Sequence, residues 1–279
     1  MKNRKLFASV MLLLATLSWG LGYAIQTISA DELKTFTIVF FKGIGGLILI
    51  PLLIKGKKKI GRKEIIGGTL IGTITLAGCV LQQKGIELST VSKSSFITAL
   101  YIVFVPLIET FRGKRPGMKM LTAVGIALVG LYFLCISETL SLNVGDLFLL
   151  GGSFFFAVQI VQIDRFSREC DGIVLTFISQ MTIAFLSGLI MVFVEKPSML
   201  QISRSLFPLF YLAVISGGMA QSMQIVFQKD VGASLASLIM SMESVFGAAG
   251  GWLLLQQTMS GREIFGAVLV FLAILIAEE

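Results

Sequence analysis

Ten apolar runs, each close to the length needed to cross a lipid bilayer, dominate this sequence and are separated by short polar segments. The bilayer core offers no hydrogen-bond partner to an exposed backbone, so chains cross it as helices or closed barrels, and a helix needs about 20 apolar residues. The sequence therefore predicts an all-α integral membrane protein with ten transmembrane helices. The runs lie near residues 6–28, 34–54, 64–84, 92–111, 118–136, 145–165, 172–194, 207–227, 233–255 and 262–277.

Composition excludes several other classes of protein. Of the 279 residues 55% are hydrophobic and 14% are charged, which leaves too little polar surface to cover a soluble globule. The chain has no histidine, and its three cysteines form no C-x-x-C pair, so neither a metal site nor a cofactor is expected. The net charge of +7 does not indicate a nucleic-acid partner, because the basic residues lie in short loops between the apolar runs.

The sequence contains an internal duplication at an offset of 142 residues. The stretch 228–247, QKDVGASLASLIMSMESVFG, aligns with 86–105, IELSTVSKSSFITALYIVFV, so that Ser234 matches Ser92 and Ser237 matches Ser95. The same offset places Gln224 on Gln82. Two homologous halves of five helices each are therefore predicted, over residues 1–137 and 143–279.

These stretches also carry a resemblance to a known family. QKDVGASLASLIMSMESVFG followed by GAVLVFLAIL, together with LSWG near the N-terminus, resembles the EamA-type transporters of the drug/metabolite transporter superfamily. Ser244 and Gln257 stand where that family usually has proline and glutamate. The resemblance implies a transporter of small metabolites, most often an exporter, and a basic residue at the position of Lys42.

The distribution of Lys and Arg predicts the orientation. If the N-terminus lies in the cytoplasm, most of the basic residues fall in cytoplasmic segments, as the positive-inside rule requires. Both termini are then cytoplasmic. Because five is an odd number of crossings, the second half begins on the opposite side of the membrane and has the inverse orientation of the first half. In such an inverted repeat, substrate sites lie near the midplane between the halves. The predicted cytoplasmic residues are Lys2, Arg4, Lys5, Lys55, Lys57, Lys58, Lys59, Arg62, Lys63, Arg112, Lys114, Arg115, Lys119, Arg165, Arg168 and Lys229.

Glu243 is the acidic residue placed near the middle of a predicted span. It lies about ten residues into the ninth run, or roughly 15 Å deep at 1.5 Å per residue. A charge at that depth is costly unless it faces a cavity or a partner, which favours a substrate-binding or coupling role. The alternative is a protonated carboxyl that only packs against neighbouring serines.

Lys42 lies at a comparable depth in the second run, about eight residues or roughly 12 Å from the external side. Two interpretations remain open. Its long stem can carry the ammonium group outward to the headgroups. Alternatively, the ammonium group pairs with Glu243 or with an anionic group of the substrate.

Glutamines recur at helical spacing in several runs, and amides in hydrocarbon are costly unless they are paired. For a single glutamine the simpler interpretation is a hydrogen bond between helices. As a set from different helices, they predict the lining of a polar cavity, to which two aromatic residues can add a wall. The predicted substrate-binding or coupling residues, besides Glu243 and Lys42, are Gln82, Gln159, Gln221, Gln224, Tyr101 and Trp19. No residue is predicted to be catalytic.

The sequence thus predicts a secondary transporter that moves a small organic metabolite, such as an amino acid or a related compound, across the cytoplasmic membrane by alternating access. The lipid bilayer and a small-molecule substrate are the expected partners, and the sequence indicates no oligomeric state. The rival hypothesis is an intramembrane enzyme, such as a hydrolase or a lipid-modifying protein. An aspartyl mechanism is disfavoured because the aspartates lie at the ends of the spans, whereas a Ser/Lys mechanism built on Lys42 stays open.

Overall fold

The computed structural model describes residues 2–114, 116–135, 143–255 and 260–278, and within these ranges the chain is helical, with no strand. Arg115 and Gln257 lie outside the described residues. The long helices are α1 (Lys2–Ala30), α2 (Thr35–Lys55), α3 (Arg62–Ile86), α4 (Val91–Phe111), α5 (Met118–Cys135), α6 (Val144–Phe166), α7 (Gly172–Glu195), α8 (Leu206–Asp230), α9 (Ala233–Met240 and Met242–Leu255) and α10 (Gly261–Glu278). A short helix over Met199–Arg204 lies between α7 and α8.

Eight of the described helices, α1 to α4 and α6 to α9, are long and apolar enough to cross a membrane. Helix α5 is apolar but shorter, over Met118–Leu134, and it packs along α10. Gly266 allows this pair to approach closely, since a Cβ at this position would lie 2.5 Å from the carbonyl oxygen of Gly130. The prediction of a helical membrane protein is confirmed, whereas the number of ten transmembrane helices stays a prediction.

Polar residues at the ends of the apolar runs start several helices. The Thr90 hydroxyl accepts from the Lys93 amide at the start of α4, and Asn143 and Asp146 form a reciprocal capping box at the start of α6. Helix α2 has no such cap of its own. Instead, the Glu195 carboxylate at the end of α7 accepts from the amides of Phe36 and Thr37, at 2.9 and 2.7 Å. These contacts satisfy amides that the helical ladder leaves unpaired.

Two helices are broken halfway along. Helix α4 is interrupted at Leu100, between Val91–Ala99 and Tyr101–Phe111, and α9 is interrupted at Ser241. Pro106, which the sequence suggests as the site of a kink, lies inside the second segment of α4, six residues after the break. The two breaks place Tyr101 and Glu243 next to irregular backbone at the centre of the molecule.

The packing of the helices follows a paired pattern. Helix α1 packs against α8 and α9, and α6 packs against α3 and α4; likewise α2 packs against α8, and α7 packs against α3. In the α4–α9 contact, the first segment of each helix meets the second segment of the other. Ser95, Ser237, Ser241 and Ser244 are buried in these helices, and the Ser244 hydroxyl donates to the carbonyl oxygen of Ser95 at 2.9 Å.

Candidate functional site

A cavity of about 720 Å³, including its mouth, lies between the helices near the middle of their length. Its wall is formed by residues of α1, α2, α3, α4, α6, α7, α8 and α9. The structure brings all eight residues that were predicted from the sequence to this one cavity; their roles stay a prediction. They are Trp19, Lys42, Gln82, Tyr101, Gln159, Gln221, Gln224 and Glu243.

Glu243 is the second residue of the second segment of α9 and is only 5% exposed. A close contact between α1 and α9 fixes its backbone, because a Cβ at Gly20 would lie 2.7 Å from the Glu243 carbonyl oxygen. Tyr101, Lys42 and Tyr23 are the side chains that interact electrostatically with its carboxyl group. Among the described residues, neither Glu243 Oε1 nor the Tyr101 hydroxyl has a hydrogen-bond partner of standard geometry. One oxygen of the carboxyl thus has no hydrogen bond of standard geometry, although Tyr101 lies close enough to interact with it.

Lys42 stands near the end of the regular part of α2, and its ammonium group faces the cavity rather than the headgroups. Its Nζ donates to Gln26 Oε1 at 3.4 Å, and it makes no ion pair with Glu243 among the described residues. An acidic and a basic side chain thus lie on the wall of the same cavity without an ion pair between them. They are the two charged residues among those that line it.

A glutamine cluster, formed by Gln159 of α6 and Gln221, Gln224 and Gln228 of α8, makes one side of the site. Gln159 and Gln224 exchange two amide hydrogen bonds, at 3.3 and 3.4 Å. Gln221 Nε2 donates to Gln224 Oε1, and Gln224 Nε2 donates to Gln228 Oε1, both at 3.2 Å. Gln224 therefore uses both donors and both acceptor positions within the protein, and it supports the wall rather than offering a free group to a ligand.

The remaining polar groups connect further helices to the wall. Gln82 Nε2 donates to the Tyr23 hydroxyl at 3.0 Å, which joins α3 to α1. Trp19 Nε1 donates to the carbonyl oxygen of Ser216 at 3.1 Å, which places its indole on the cavity wall instead of at a membrane interface. Gln180 Nε2 donates to the carbonyl oxygen of Gly217. These bonds hold the polar side chains in place before a ligand arrives.

Sequence reasoning missed Tyr23 and Gln26, which line the cavity from α1. A signal for them exists, because they follow Trp19 at four and seven residues and so share its helical face. No group of three or more metal-ligating His, Cys, Asp or Glu side chains occurs in the part of the chain that the structure describes. The available chemistry is recognition by two opposite charges and several amides.

Comparison with known proteins identifies the family. The sequence matches the EamA-like transporter family over residues 6–136 and again over residues 143–277. The chain belongs to this family. The EamA-like transporters form part of the drug/metabolite transporter superfamily, so the resemblance noted in the sequence is confirmed.

Similar proteins agree with the membership in the EamA-like family. An uncharacterized transporter of Archaeoglobus fulgidus is 29% identical over 277 residues, which cover 98% of this chain and 86% of that relative. An uncharacterized transporter of Helicobacter pylori is 28% identical over 210 residues, or 71% of this chain and 68% of the relative. A crystal structure with 17% identity has the same fold, with a TM-score of 0.80 over 97% of this chain and 96% of the other.

This EamA-like protein is therefore a multi-pass membrane protein of a transporter family, for which a small-molecule substrate and the lipid bilayer are the implied partners. The names of the family and of the relatives favour transport over the rival intramembrane enzyme.

Proposed function

We propose that this protein is a secondary transporter that carries a small zwitterionic metabolite, an amino acid or a related compound, across the cytoplasmic membrane by alternating access. Export is the proposed direction, as the family resemblance implies. The observation that carries the proposal is the presence of Lys42 and Glu243 on one central cavity, without an ion pair between them.

An amino acid complements this arrangement. Its carboxylate can bind the Lys42 ammonium, and its ammonium group can bind the ionised Glu243 carboxylate, so that each side chain gains a group of opposite charge. A purely anionic or purely cationic substrate would leave one of the two without a partner.

Alternating access requires that the cavity opens to each side of the membrane in turn, and an inverted repeat provides two related halves for this purpose. The paired contacts of α1 with α8 and α9, and of α6 with α3 and α4, support a repeat of residues 1–137 by residues 143–279. The breaks at Leu100 and Ser241 occur at almost equivalent positions of α4 and α9. We therefore propose ten spans in two inverted halves.

The proposed orientation places both termini in the cytoplasm and can be tested by cysteine labelling. Cys170 is a poor probe, because burial raises the pKa of its thiol and so reduces its reactivity. Lys59→Cys and Ser203→Cys are better, since both positions are exposed and lie at opposite ends of the helices. With the native cysteines replaced, a membrane-impermeant maleimide should label Ser203→Cys in intact cells and Lys59→Cys only after lysis. The reverse pattern would invert the orientation.

The decisive test of the site is Glu243→Gln in proteoliposomes. Glutamine preserves the shape and most hydrogen bonding of the side chain but removes its charge and titration. We expect normal insertion and thermal stability, with counterflow of labelled amino acids largely lost and any residual exchange no longer dependent on pH. Glu109→Gln is the matched control, because Glu109 is a buried carboxyl that bonds Ser234 and Lys114 away from the cavity.

Wild-type transport by Glu243→Gln, with the wild-type pH profile, would show that this carboxyl is structural. The same assay separates transport from the enzyme hypothesis. A transporter relocates the labelled compound unchanged, whereas a hydrolase or a lipid-modifying enzyme converts it, which chromatography of the vesicle contents detects.

A further inference from the structure

Three glutamines that line the cavity, Gln82, Gln180 and Gln221, are held in the same sense, by their nitrogens. We infer that they present carbonyl oxygens to the substrate, and that the site therefore selects ligands with an unmethylated ammonium group over N-methylated ligands of the same charge. The inference rests on the proposed function and adds to it the chemical feature by which the cavity recognises its substrate.

The sense of the glutamine cluster is set outside the cavity, at the backbone of α6. Gln228 Nε2 donates to the carbonyl oxygen of Ile160 at 2.7 Å. A backbone carbonyl can only accept, so the amide of Gln228 cannot turn over without losing this bond. Gln228 must then present its oxygen to Gln224, at 3.2 Å.

The constraint passes along the cluster to the cavity. Because Gln228 offers an acceptor, Gln224 must use its nitrogen there, and its oxygen points to Gln221 and Gln159. Gln221 consequently donates its nitrogen to Gln224. Gln221 Oε1 has no donor among the described residues and is left free on the cavity side.

Two glutamines from other helices are also bonded through their side-chain nitrogens. Gln180 of α7 donates its nitrogen to the carbonyl oxygen of Gly217, which again can only accept. Gln82 of α3 donates its nitrogen to the Tyr23 hydroxyl. Both line the cavity, and within the described part of the chain neither side-chain oxygen has a donor. Three helices thus contribute one free carbonyl oxygen each.

These oxygens and the Glu243 carboxylate form an acceptor-rich wall, and an ammonium group with three N–H bonds matches it. Trimethylation keeps the positive charge and removes every N–H donor, so charge attraction alone does not distinguish the two forms. Hydrogen bonds from a charged donor are the stronger class. The unmethylated ligand should therefore bind more tightly, even though both forms are zwitterions.

Gln228 is a positioning residue in this scheme. It is fully buried and does not line the cavity, so it acts on a ligand only through Gln224 and Gln221. Replacing it with methionine removes the bond to Ile160 and frees the amides of the cluster to turn over. We expect this variant to bind unmethylated and N-methylated ligands with more similar affinity, rather than to bind both more weakly by the same factor.

Cys79 provides a direct readout, because its thiol lies on the cavity wall. In a protein with Cys135 and Cys170 replaced by serine, the rate of Cys79 alkylation by N-ethylmaleimide is measured with glycine, L-alanine, L-phenylalanine or L-lysine. The same measurement uses the α-N,N,N-trimethyl form of each. We expect at least one parent amino acid to slow alkylation, with its trimethyl form requiring about tenfold higher concentration, as expected for the loss of a charge-assisted hydrogen bond.

The variants test the source of this preference. Gln228→Met should reduce the difference between parent and trimethyl ligand to about twofold or less, if a turned amide offers no acceptor. Gln162→Met on α6 is the matched control, since Gln162 does not line the cavity or join the cluster, and it should keep the full preference. If Gln228→Met does not fold, Gln228→Glu replaces it: a carboxyl offers Gln224 an acceptor oxygen whether or not it is protonated, so the preference should persist at acidic and at neutral pH, and its loss in this variant would overturn the role of Gln228.

Equal protection by parent and trimethyl ligands would overturn the inference while leaving the proposed transport of amino acids intact. A folded Gln228→Met protein with an unchanged preference would overturn the role of Gln228. Protection by neither series would overturn both the inference and the proposed substrate class.

Discussion

The contact of α2 with α8 differs from the contact of α7 with α3, although the proposed repeat makes the two equivalent. Helix α3 and most of α7 are regular, over Arg62–Ile86 and Gly172–Ile190. By contrast, α2 tightens into a 3₁₀ segment at Gly45–Leu49, and α8 widens into a π segment at Tyr211–Ala220. Both contacts border the cavity: the irregular one contributes Lys42 and Gln221 to its wall, and the regular one contributes Gln82 and Gln180.

Glycine positions explain how the irregular contact is possible. At the α2–α8 contact, glycines lie on both helices: a Cβ at Gly217 would overlap the Lys42 carbonyl oxygen, and a Cβ at Gly45 would overlap that of Ala213. At the α3–α7 contact they lie on α3, where a Cβ at Gly72 would be 2.5 Å from the Ser179 carbonyl oxygen. Wide helical turns expose backbone carbonyls that regular helices bond internally, and they are frequent at functional sites.

The largest expected effect is that of Gly217→Ala. The added methyl group overlaps the backbone of α2 at Lys42, which cannot rotate away as a side chain can. We expect a loss of about 3 kcal/mol or more in the free energy of unfolding, at the upper end for overpacking. Gly72→Ala on the regular contact is the matched variant and should cost roughly 1–2 kcal/mol.

The measurement is the thermal stability and folded yield of the purified proteins in detergent. An equal loss in Gly217→Ala and Gly72→Ala would mean that the two contacts are equally tight, and the comparison would then reduce to a difference in helix type.

A smaller effect is expected for Gln180→Met, which tests whether Gln180 stabilises the π segment of α8 by a hydrogen bond to a backbone carbonyl of that segment. Gln180 belongs to regular α7, but its amide donates to the carbonyl oxygen of Gly217 in the π segment of α8. Methionine leaves this buried carbonyl without its donor, at a cost of about 1–3 kcal/mol.

Thr182→Val is the control on the α3 side of α7. The Thr182 hydroxyl bonds within its own helix, to the carbonyl oxygen of Ile178 at 2.8 Å, so its loss should change stability by less than about 0.5 kcal/mol. A neutral Gln180→Met in the same thermal assay would mean that α8 holds its π segment without help from α7.

Sequence reasoning located the regular parts of the fold well. The apolar run predicted at 172–194 corresponds to Gly172–Glu195, and that at 207–227 corresponds to Leu206–Asp230. Hydropathy determines these limits because the bilayer excludes polar residues locally. The 3₁₀ and π segments were not predicted, since Gly45 and Gly217 read as ordinary small residues until the partner helix is known.

The cavity was also predictable, because the bilayer excludes polar residues that have no partner. Glu243, Lys42 and the glutamines are costly in hydrocarbon, so their presence in apolar runs predicted a shared polar interior, and the structure places them on one cavity. Tyr23 is less exceptional in an apolar helix: its spacing of four residues from Trp19 indicates a shared face, and the hydrogen bond from Gln82 of α3 shows the contact. The orientation of the side-chain amides in the glutamine cluster likewise depends on the backbone carbonyl of Ile160, an acceptor that no side-chain pattern in the sequence indicates.

The smallest expected effect concerns the N-terminal caps of α7 and α8. Asp171 caps regular α7 by accepting from the amides of Ile173 and Val174, at 2.9 and 3.3 Å, and it pairs with Lys58 beyond the end of α2. Irregular α8, which follows Ser205, has no side-chain cap. Partial burial raises the pKa of the Asp171 carboxyl, but the hydrogen bonds from Lys58 and the backbone amides outweigh it, so the pKa is lowered below 3.8.

A lowered pKa means that the folded protein binds this proton less readily than the unfolded chain. The stabilisation by the Asp171 carboxylate is therefore complete above the unfolded pKa and is lost as the pH falls through the folded value.

Asp171→Asn keeps a capping side chain and removes the charge, so we expect a loss of about 0.5 kcal/mol at pH 7, typical of a partly exposed ion pair. Thermal unfolding of both proteins between neutral pH and about pH 3 should show this difference shrinking below the unfolded pKa near 3.8. Asp171→Ala, which also removes the cap, should cost about 1 kcal/mol more at every pH. A difference between wild type and Asp171→Asn that widens on acidification would show that the ion pair does not stabilise the start of α7, and the contrast with uncapped α8 would then rest on the backbone amides alone.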